Sequence, residues 1–289
     1  MVRPFVFVPS AFYPHTSPAG EVPYDRLYES DLPKTNVGNL ALKKPIYDLR
    51  PLVDAGRAGE TNVDVTGFQL VPKEDGKTLM KKEDWEDDDK IRSTYYDETI
   101  DLLKKVTGAT HVVIFDHTIR RYEPSSSPQT ADTPNSRKPV SKVHLDQTPA
   151  AGRKRVYRHT GADADRLLEG RASIINLWRP LRGPVQDSPL AVADARTLKQ
   201  DDLVASRLIY EAPTPEGETF QIKHSDEHRW YYLSEMQPDE AILLKCWDNQ
   251  VGGATTPHSG FVDDKYIGKE VAQPRQSIEV RALVFHEKQ

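Results

Sequence analysis

The stretch Val143-His144-Leu145-Asp146-Gln147 constrains this chain more than any other. It stands where a polar, Pro- and Ser-rich loop over residues 122–141 gives way to a segment that reads as a strand. Side chains alternate faces along an extended segment, so His144 and Asp146 project to one side, an imidazole nitrogen and a carboxylate within reach of a single metal ion. A third donor has to come from far downstream, on a strand lying next to this one. His258, in Thr255-Thr256-Pro257-His258-Ser259-Gly260, is the best placed. The bland alternative is a surface strand with two polar residues facing water.

A chain of 289 residues can enclose the core such a site needs, and β-sandwich or barrel domains often run past two hundred residues, so one domain over residues 1–289 is expected. With 39 basic against 44 acidic residues and a net charge of −5, no broad basic surface is available for nucleic acid. The opening Met1-Val2-Arg3-Pro4-Phe5-Val6-Phe7-Val8-Pro9 is too short and too interrupted by proline for a signal peptide or a spanning helix. The expectation is a soluble, cytoplasmic protein, a monomer or homodimer, whose partner is a small molecule and not nucleic acid or a membrane. A lone Cys246 agrees with this, and Ile242-Leu243-Leu244 before it and Trp247 after it describe a core strand that buries the thiol.

Residues 1–80 carry Pro at 4, 9, 14, 18, 23 and 33 and no sustained period. They read as an extended arm wrapping the domain, with Lys44-Pro45-Ile46-Tyr47-Asp48-Leu49 and Gly67-Phe68-Gln69-Leu70-Val71 added at sheet edges. Residues 82–107 carry a helical period, with Trp85, Tyr95, Tyr96, Ile100, Leu103 and Val106 on the apolar face and Gly108 as the stop. The acidic run at 83–89 suits the first turns of that helix better than a metal cluster. Residues 108–289 then hold the strands. His111-Val112-Val113-Ile114-Phe115-Asp116-His117 reads as a buried strand, and Asp116 and His117 point to opposite faces, which gives both structural roles. The loop before His144 is placed to act as a lid. Arg153-Lys154-Arg155 and Arg158 read as a solvated face near a short helix at 163–169.

In the second half, Arg171-Ala172-Ser173-Ile174-Ile175-Asn176-Leu177-Trp178-Arg179-Pro180 is a core strand on which Asn176 and Trp178 share a face. That pair either lines a substrate pocket, with Arg179 receiving a substrate carboxylate, or leaves Trp178 simply filling the core. His224 and His228 fall in turn and strand, which makes them poor partners for one metal. The last strand, Ser277-Ile278-Glu279-Val280-Arg281-Ala282-Leu283-Val284-Phe285, alternates as a half-exposed strand does.

Two histidines and one carboxylate on one face leave the other face of a metal open, the donor set of non-haem Fe(II) oxygenases. Arg275-Gln276-Ser277 resembles the Arg-x-Ser element of the Fe(II)- and 2-oxoglutarate-dependent oxygenases. Asn176-Leu177-Trp178-Arg179-Pro180, Trp247-Asp248-Asn249, Pro257-His258-Ser259-Gly260-Phe261 and Pro274-Arg275-Gln276-Ser277-Ile278-Glu279-Val280-Arg281 look more closely like the hydroxylase/desaturase family of fungal secondary metabolism. The resemblance runs from Pro45 to Phe285. It implies a mainly β fold with flanking helices, a double-stranded β-helix or cupin-like jelly-roll barrel whose mouth holds iron.

It also implies that Fe(II) sits on His144, Asp146 and His258, that 2-oxoglutarate and dioxygen are co-substrates, and that Arg275 with Ser277 clamps the far carboxylate of 2-oxoglutarate. A long segment separates Arg275 from His258, and Arg281, of the same strand parity, is the alternative clamp. Arg275 is expected at the iron end of the barrel and Arg281 toward its far end, roughly 20 Å along an extended strand. The resemblance makes the chain an enzyme that oxidises an unactivated C–H bond of a small metabolite or amino-acid-like molecule. The other readings are a cupin-type metal-dependent oxygenase or isomerase working without 2-oxoglutarate, a non-catalytic binding module, and a nucleic-acid demethylase, which the charge disfavours.

Overall fold

Among the described residues, short apolar runs punctuated by turns become fourteen strands, β1 (Val2–Phe12), β2 (Tyr24–Arg26), β3 (Asn39–Asp48), β4 (Phe68–Val71), β5 (His111–Arg121), β6 (His144–Leu145), β7 (Arg171–Pro180), β8 (Leu190–Ala193), β9 (Leu203–Ile209), β10 (Gly217–Ile222), β11 (Trp230–Tyr232), β12 (Ala241–Asp248), β13 (His258–Gly260) and β14 (Gln276–His286). The computed structural model describes residues 2–12, 21–28, 30–121, 139–266 and 274–287. Most of the loop expected as a lid, residues 122–138, lies outside the described residues.

The strands form two sheets. The larger runs β1-β3-β11-β8-β13-β6-β10-β9-β2 and the smaller β4-β12-β7-β14-β5. The smaller sheet is antiparallel throughout, whereas the larger is mixed, with parallel pairs β3–β11 and β2–β9. Side chains of both sheets meet in one core, Ile46, Val192 and Ile222 from the larger against Trp178, Ile242, Leu244 and Cys246 from the smaller. The opposite face of the smaller sheet, with Ile175, Leu177, Leu243 and Val280, is covered by Trp85, Ile91, Tyr95 and Leu103. Each such fully buried side chain contributes about 1.5–3 kcal/mol of apolar burial.

Covering both faces explains one departure from expectation. β14 is a central strand between β7 and β5, and its alternation does not mark a solvent face. Its polar residues Ser277, Glu279 and Arg281 face the space between the sheets, where the candidate site lies.

The helical segment expected at 82–107 forms in pieces, a 3-10 turn Lys82–Glu86, a single turn Asp88–Lys90, a π turn Ile91–Tyr95 and an α-helix Tyr96–Thr107. Asp87 Oδ1 accepts from the Lys90 amide and restarts the helix, and Trp85 packs edge-on to Tyr95 across the break, with ring centroids 4.9 Å apart. Gly108, at φ 71°, closes the segment in the left-handed conformation that glycine adopts without strain. A longer helix than the one expected at 163–169 precedes it. Pro149–Thr160 starts on the Thr148 hydroxyl, which accepts from the Ala151 amide, and its exposed face carries Arg153, Lys154 and Arg158. The Thr-Pro pair at its start is the capping signal that could have placed it.

The N-terminal region gives more regular structure than an arm. β1, with Pro4 and Pro9, is the outermost strand of the larger sheet, where proline is tolerated, and it covers β3, so residues 44–48 lie inside the sheet between β1 and β11 and not at the edge expected. β4 is the edge of the smaller sheet, as expected. Arg50, in the short helix Arg50–Asp54, ties the region to the core by donating to both oxygens of the fully buried Glu240, at 2.6 and 2.9 Å.

Candidate metal centre

β6 is only two residues long, yet it is flanked by β13 and β10, and the register sets His258 directly opposite His144. Asp146 occupies the bend just after β6. The Nδ1–H of His144 donates to the Lys142 carbonyl at 2.8 Å, and that of His258 to the Thr256 carbonyl at 3.2 Å. Those bonds select the tautomer in which each Nε2 is a bare lone pair, the form that ligates metals. Both Nε2 atoms face Asp146 Oδ1, at 3.4 and 3.9 Å, and the three donor atoms all lie within 4.8 Å of one another. Burial opposes charge on all three. The Asp146 carboxylate outweighs it at His144 and raises that imidazole, burial with the neighbouring His144 lowers His258, and the two imidazoles with Arg281 hold Asp146 well below the usual carboxylate range.

The second oxygen of Asp146 turns away from the imidazoles. Oδ2 accepts from Asn176 Nδ2 at 2.8 Å, lies 3.6 Å from Arg281 Nε and takes a weak contact from the Cys246 thiol at 3.9 Å. One carboxylate oxygen is therefore free for a metal and the other is engaged by protein.

Just before β14, the guanidinium of the buried Arg275 has no carboxylate within ion-pair range among the described residues. Its amide donates to Asp187 Oδ1 at 2.9 Å, its Nη1 donates to the Ser188 carbonyl at 2.5 Å, and its guanidinium lies over the Trp178 ring, 5.5 Å from the centroid. Its Nε and the buried Ser277 hydroxyl have no hydrogen-bond partner among the described residues. Burial and the nearby Arg120 push the Arg275 guanidinium down to about 9. A buried cation with donors to spare is what a bound carboxylate would satisfy. The donor set at His144, Asp146 and His258 suits Fe(II), and the orphaned donors at Arg275 and Ser277 suit a diacid such as 2-oxoglutarate.

Comparison with known proteins agrees with this chemistry. The family model described as "Oxidoreductase/YMDC permease-like domain" matches residues 11–285. The hydroxylase/desaturase efuI of Hormonema carpetanum is 35% identical over 283 residues, covering 90% of this chain and 90% of that protein. The Fe(II)/2-oxoglutarate-dependent dioxygenase nvfI of Aspergillus novofumigatus is 35% identical over 246 residues, 84% of this chain and 83% of the relative. The chain belongs to the hydroxylase/desaturase family. It is an oxidoreductase that uses Fe(II), 2-oxoglutarate and dioxygen. The solved structure of the iron and alpha-ketoglutarate-dependent endoperoxidase NvfI superposes with a TM-score of 0.83 at 29% identity, covering 99% of each chain.

Within this family member the remaining candidate residues fall into place differently. Arg281 is not far from the candidate site but beside Asp146, because β14 runs past the site and Arg281 pairs in register with Asn176 of β7. Arg179 faces away from the site and cannot receive a substrate carboxylate there. Strand alternation puts it on the outer face, where Nη1 donates to the carbonyls of Gly76 and Pro238 at 2.6 and 3.1 Å and the guanidinium covers the Tyr95 ring. Asn176 and Trp178 do share the inner face, but they meet Asp146 and Arg275.

Asp116 and His117 are structural, one paired to Arg281 and the other bonded to the Tyr96 hydroxyl. His228 is committed to Asp202 at 2.9 Å. Sequence reasoning missed Glu279, whose carboxylate is bonded by both Asn176 and Arg281. Strand alternation puts it on one face with Ser277 and Arg281, but its partner Asn176 comes from β7 and no local signal names it.

Proposed function

We propose that the chain oxidises an unactivated C–H bond of a small secondary metabolite or amino-acid-like molecule, by hydroxylation, desaturation or ring closure, releasing succinate and CO2. In this reading the paired sheets are a double-stranded β-helix, residues 1–289 act as one domain, and His144, Asp146 and His258 hold Fe(II). Arg275 and Ser277 hold the far carboxylate of 2-oxoglutarate. The observation that carries the reading is the coexistence, between the same two sheets, of three convergent metal donors and a buried guanidinium with no carboxylate in ion-pair range among the described residues. Bound there, iron with 2-oxoglutarate and dioxygen supplies an oxidant strong enough to take a hydrogen atom from carbon.

The chain's own residues do the rest. Lys142 and Thr256 carbonyls fix the two imidazole rings, and Asn176 and Arg281 engage the second oxygen of Asp146. Trp178 packs against Arg275 and keeps water from its charge. The side chains of His144 and Asp146 retain 20% and 15% exposure against 5% for His258, so substrate approaches from the His144 and Asp146 side. A net charge of −5 agrees with a small-molecule substrate and not nucleic acid. No helix among the described residues is long and apolar enough to cross a membrane. The protein acts as a monomer or homodimer, and its single buried thiol suits the cytoplasm.

The test is turnover of purified protein with Fe(II), ascorbate and 2-oxoglutarate against a panel of small carboxylic acids, amino acids and fungal metabolites. Succinate should form in step with oxidised product and only slowly without substrate. Oxidised product that forms equally well with 2-oxoglutarate left out would overturn the reading.

A further inference from the structure

Asp146 needs more than proximity to serve one metal. A free carboxylate can offer either oxygen or both, and here the two oxygens have distinct surroundings. Oδ1 faces the imidazoles while Oδ2 is held by Asn176. Asn176 is fully buried, and its single amide nitrogen donates to two carboxylates at once, to Asp146 at 2.8 Å and to Glu279 Oε1 at 2.7 Å. Its own Oδ1 has no partner among the described residues. A flipped amide would point that oxygen at both carboxylates, so Glu279 determines which end of Asn176 meets Asp146.

Arg281 closes the circuit. Its Nη2 donates to Glu279 Oε2 at 3.1 Å, its Nε lies 3.6 Å from Asp146 Oδ2, and its Nη1 is anchored on Asp116 and Thr118, both at 3.0 Å. Asn176 is the register partner of Arg281, and Trp178 that of Glu279, so the network stands on adjacent central strands of the smaller sheet and reaches across to a ligand carried by the larger one.

We infer that Glu279 is a positioning residue for the metal centre, holding Asp146 through Asn176 and Arg281 so that the carboxylate presents one oxygen to the ion. This rests on reading His144, Asp146 and His258 as the ligands. Engaging Oδ2 keeps Asp146 to a single bond, which leaves the remaining positions for the co-substrate and dioxygen. The negative charge of Glu279, relayed by hydrogen bonds, makes the ligand oxygen a stronger donor.

Co(II) is a suitable probe, because its visible spectrum reports coordination number and geometry without turnover. Full-length apoprotein would be titrated with Co(II) for the wild type, Glu279→Ala, Glu279→Gln, Asn176→Ser, Asp146→Ala and His258→Ala, with the melting temperature of each apoprotein measured in parallel. Glu279→Ala and Asn176→Ser should weaken Co(II) binding by about 10–100-fold and change the shape of the visible bands. Glu279→Gln keeps the volume and one acceptor, and carries the same test if Glu279→Ala does not fold. Wild-type affinity with an unchanged spectrum in the Glu279 variants, alongside loss of binding in Asp146→Ala and His258→Ala, overturns the role of Glu279 alone. Undiminished binding in Asp146→Ala and His258→Ala overturns the ligand assignment itself.

Discussion

His144 and His258 are register partners across β6 and β13, with ring centroids 4.5 Å apart and planes tilted by 60°, and each ring is tied by its Nδ1–H to the carbonyl two residues before it. Neither imidazole needs a metal to find its orientation, because the segment just before its own strand supplies the anchor. Ordering two side chains in advance removes an entropy cost that binding would otherwise carry.

A preformed site makes the candidate ligands separable from the fold. His144→Ala, Asp146→Ala and His258→Ala should each lose Fe(II) or Mn(II) binding by calorimetric titration. The apoproteins should melt within a few degrees of the wild type, the buried His258 variant falling most. Metal binding that persists at full strength in one variant removes that residue from the ligand set.

The surroundings of Arg275 predict an unusual separation of binding from stability. Most buried arginines stabilise a fold through a carboxylate, and this one has none in ion-pair range among the described residues. Arg275→Met should therefore leave the melting temperature level or raise it, since an uncompensated buried charge is removed. The same change should weaken 2-oxoglutarate binding by about 10–100-fold, the loss of roughly 1.5–3 kcal/mol from charge-assisted hydrogen bonds. Ser277→Ala should show a smaller loss. A variant that melts far lower and binds 2-oxoglutarate normally would make Arg275 structural.

What could be read in advance follows from the range of each interaction. His144 and Asp146 announce themselves through two-residue alternation, and β7, β12 and β14 through apolar runs, because these are local properties of an extended chain. Glu279 could not be read that way. Its role exists only through the register that sets Trp178 opposite it and Asn176 opposite Arg281, and no single strand encodes that offset. The same register corrects Arg281, which chain length alone placed far from the iron. The polar alternation of β14 looked like a solvent face because interior and exterior polar faces share one period, and only the second sheet decides between them. Cys246 was expected as a buried thiol and is one, but its contact with Asp146 spans the two sheets and left no local trace.

Arg179 offers a test of the strand-face correction. Its guanidinium bonds two backbone carbonyls under the helical layer, at Gly76 and Pro238. Arg179→Ala should lower unfolding free energy by about 2–4 kcal/mol through those orphaned acceptors and lost packing, as measured by denaturant titration. The Michaelis constant for substrate should stay within twofold of the wild type. A large rise in that constant with unchanged stability would return Arg179 to the site.

The last prediction concerns acid stability and the charge cluster at the end of β12. Lys245, whose side chain is 1% exposed, donates to Asp248 at 3.0 Å and to Asp64 at 2.7 Å, and Arg171 bonds the same two carboxylates. Burial by itself would raise both carboxyls, but the hydrogen bonds from Arg171 and Lys245 win, holding Asp248 below its ordinary value and Asp64 at about 2. A carboxyl depressed in the folded state adds stability that is fully present above its unfolded value, 3.8, and is lost as pH falls through its folded value.

The share of Asp64 is small, since half its side chain is exposed and screened, whereas Asp248 is as buried as Lys245. Asp248→Asn should therefore destabilise the protein by about 3–5 kcal/mol at neutral pH, because it strands the buried ammonium with only an exposed partner. The gap to the wild type should narrow as pH falls below 4 toward 2, where the wild-type carboxyl becomes neutral too. Unfolding free energies of both proteins, measured from pH 7 down to the lowest pH at which each stays folded, decide the matter. A gap that stays constant over that range would mean that Asp248 acts through shape and not through charge.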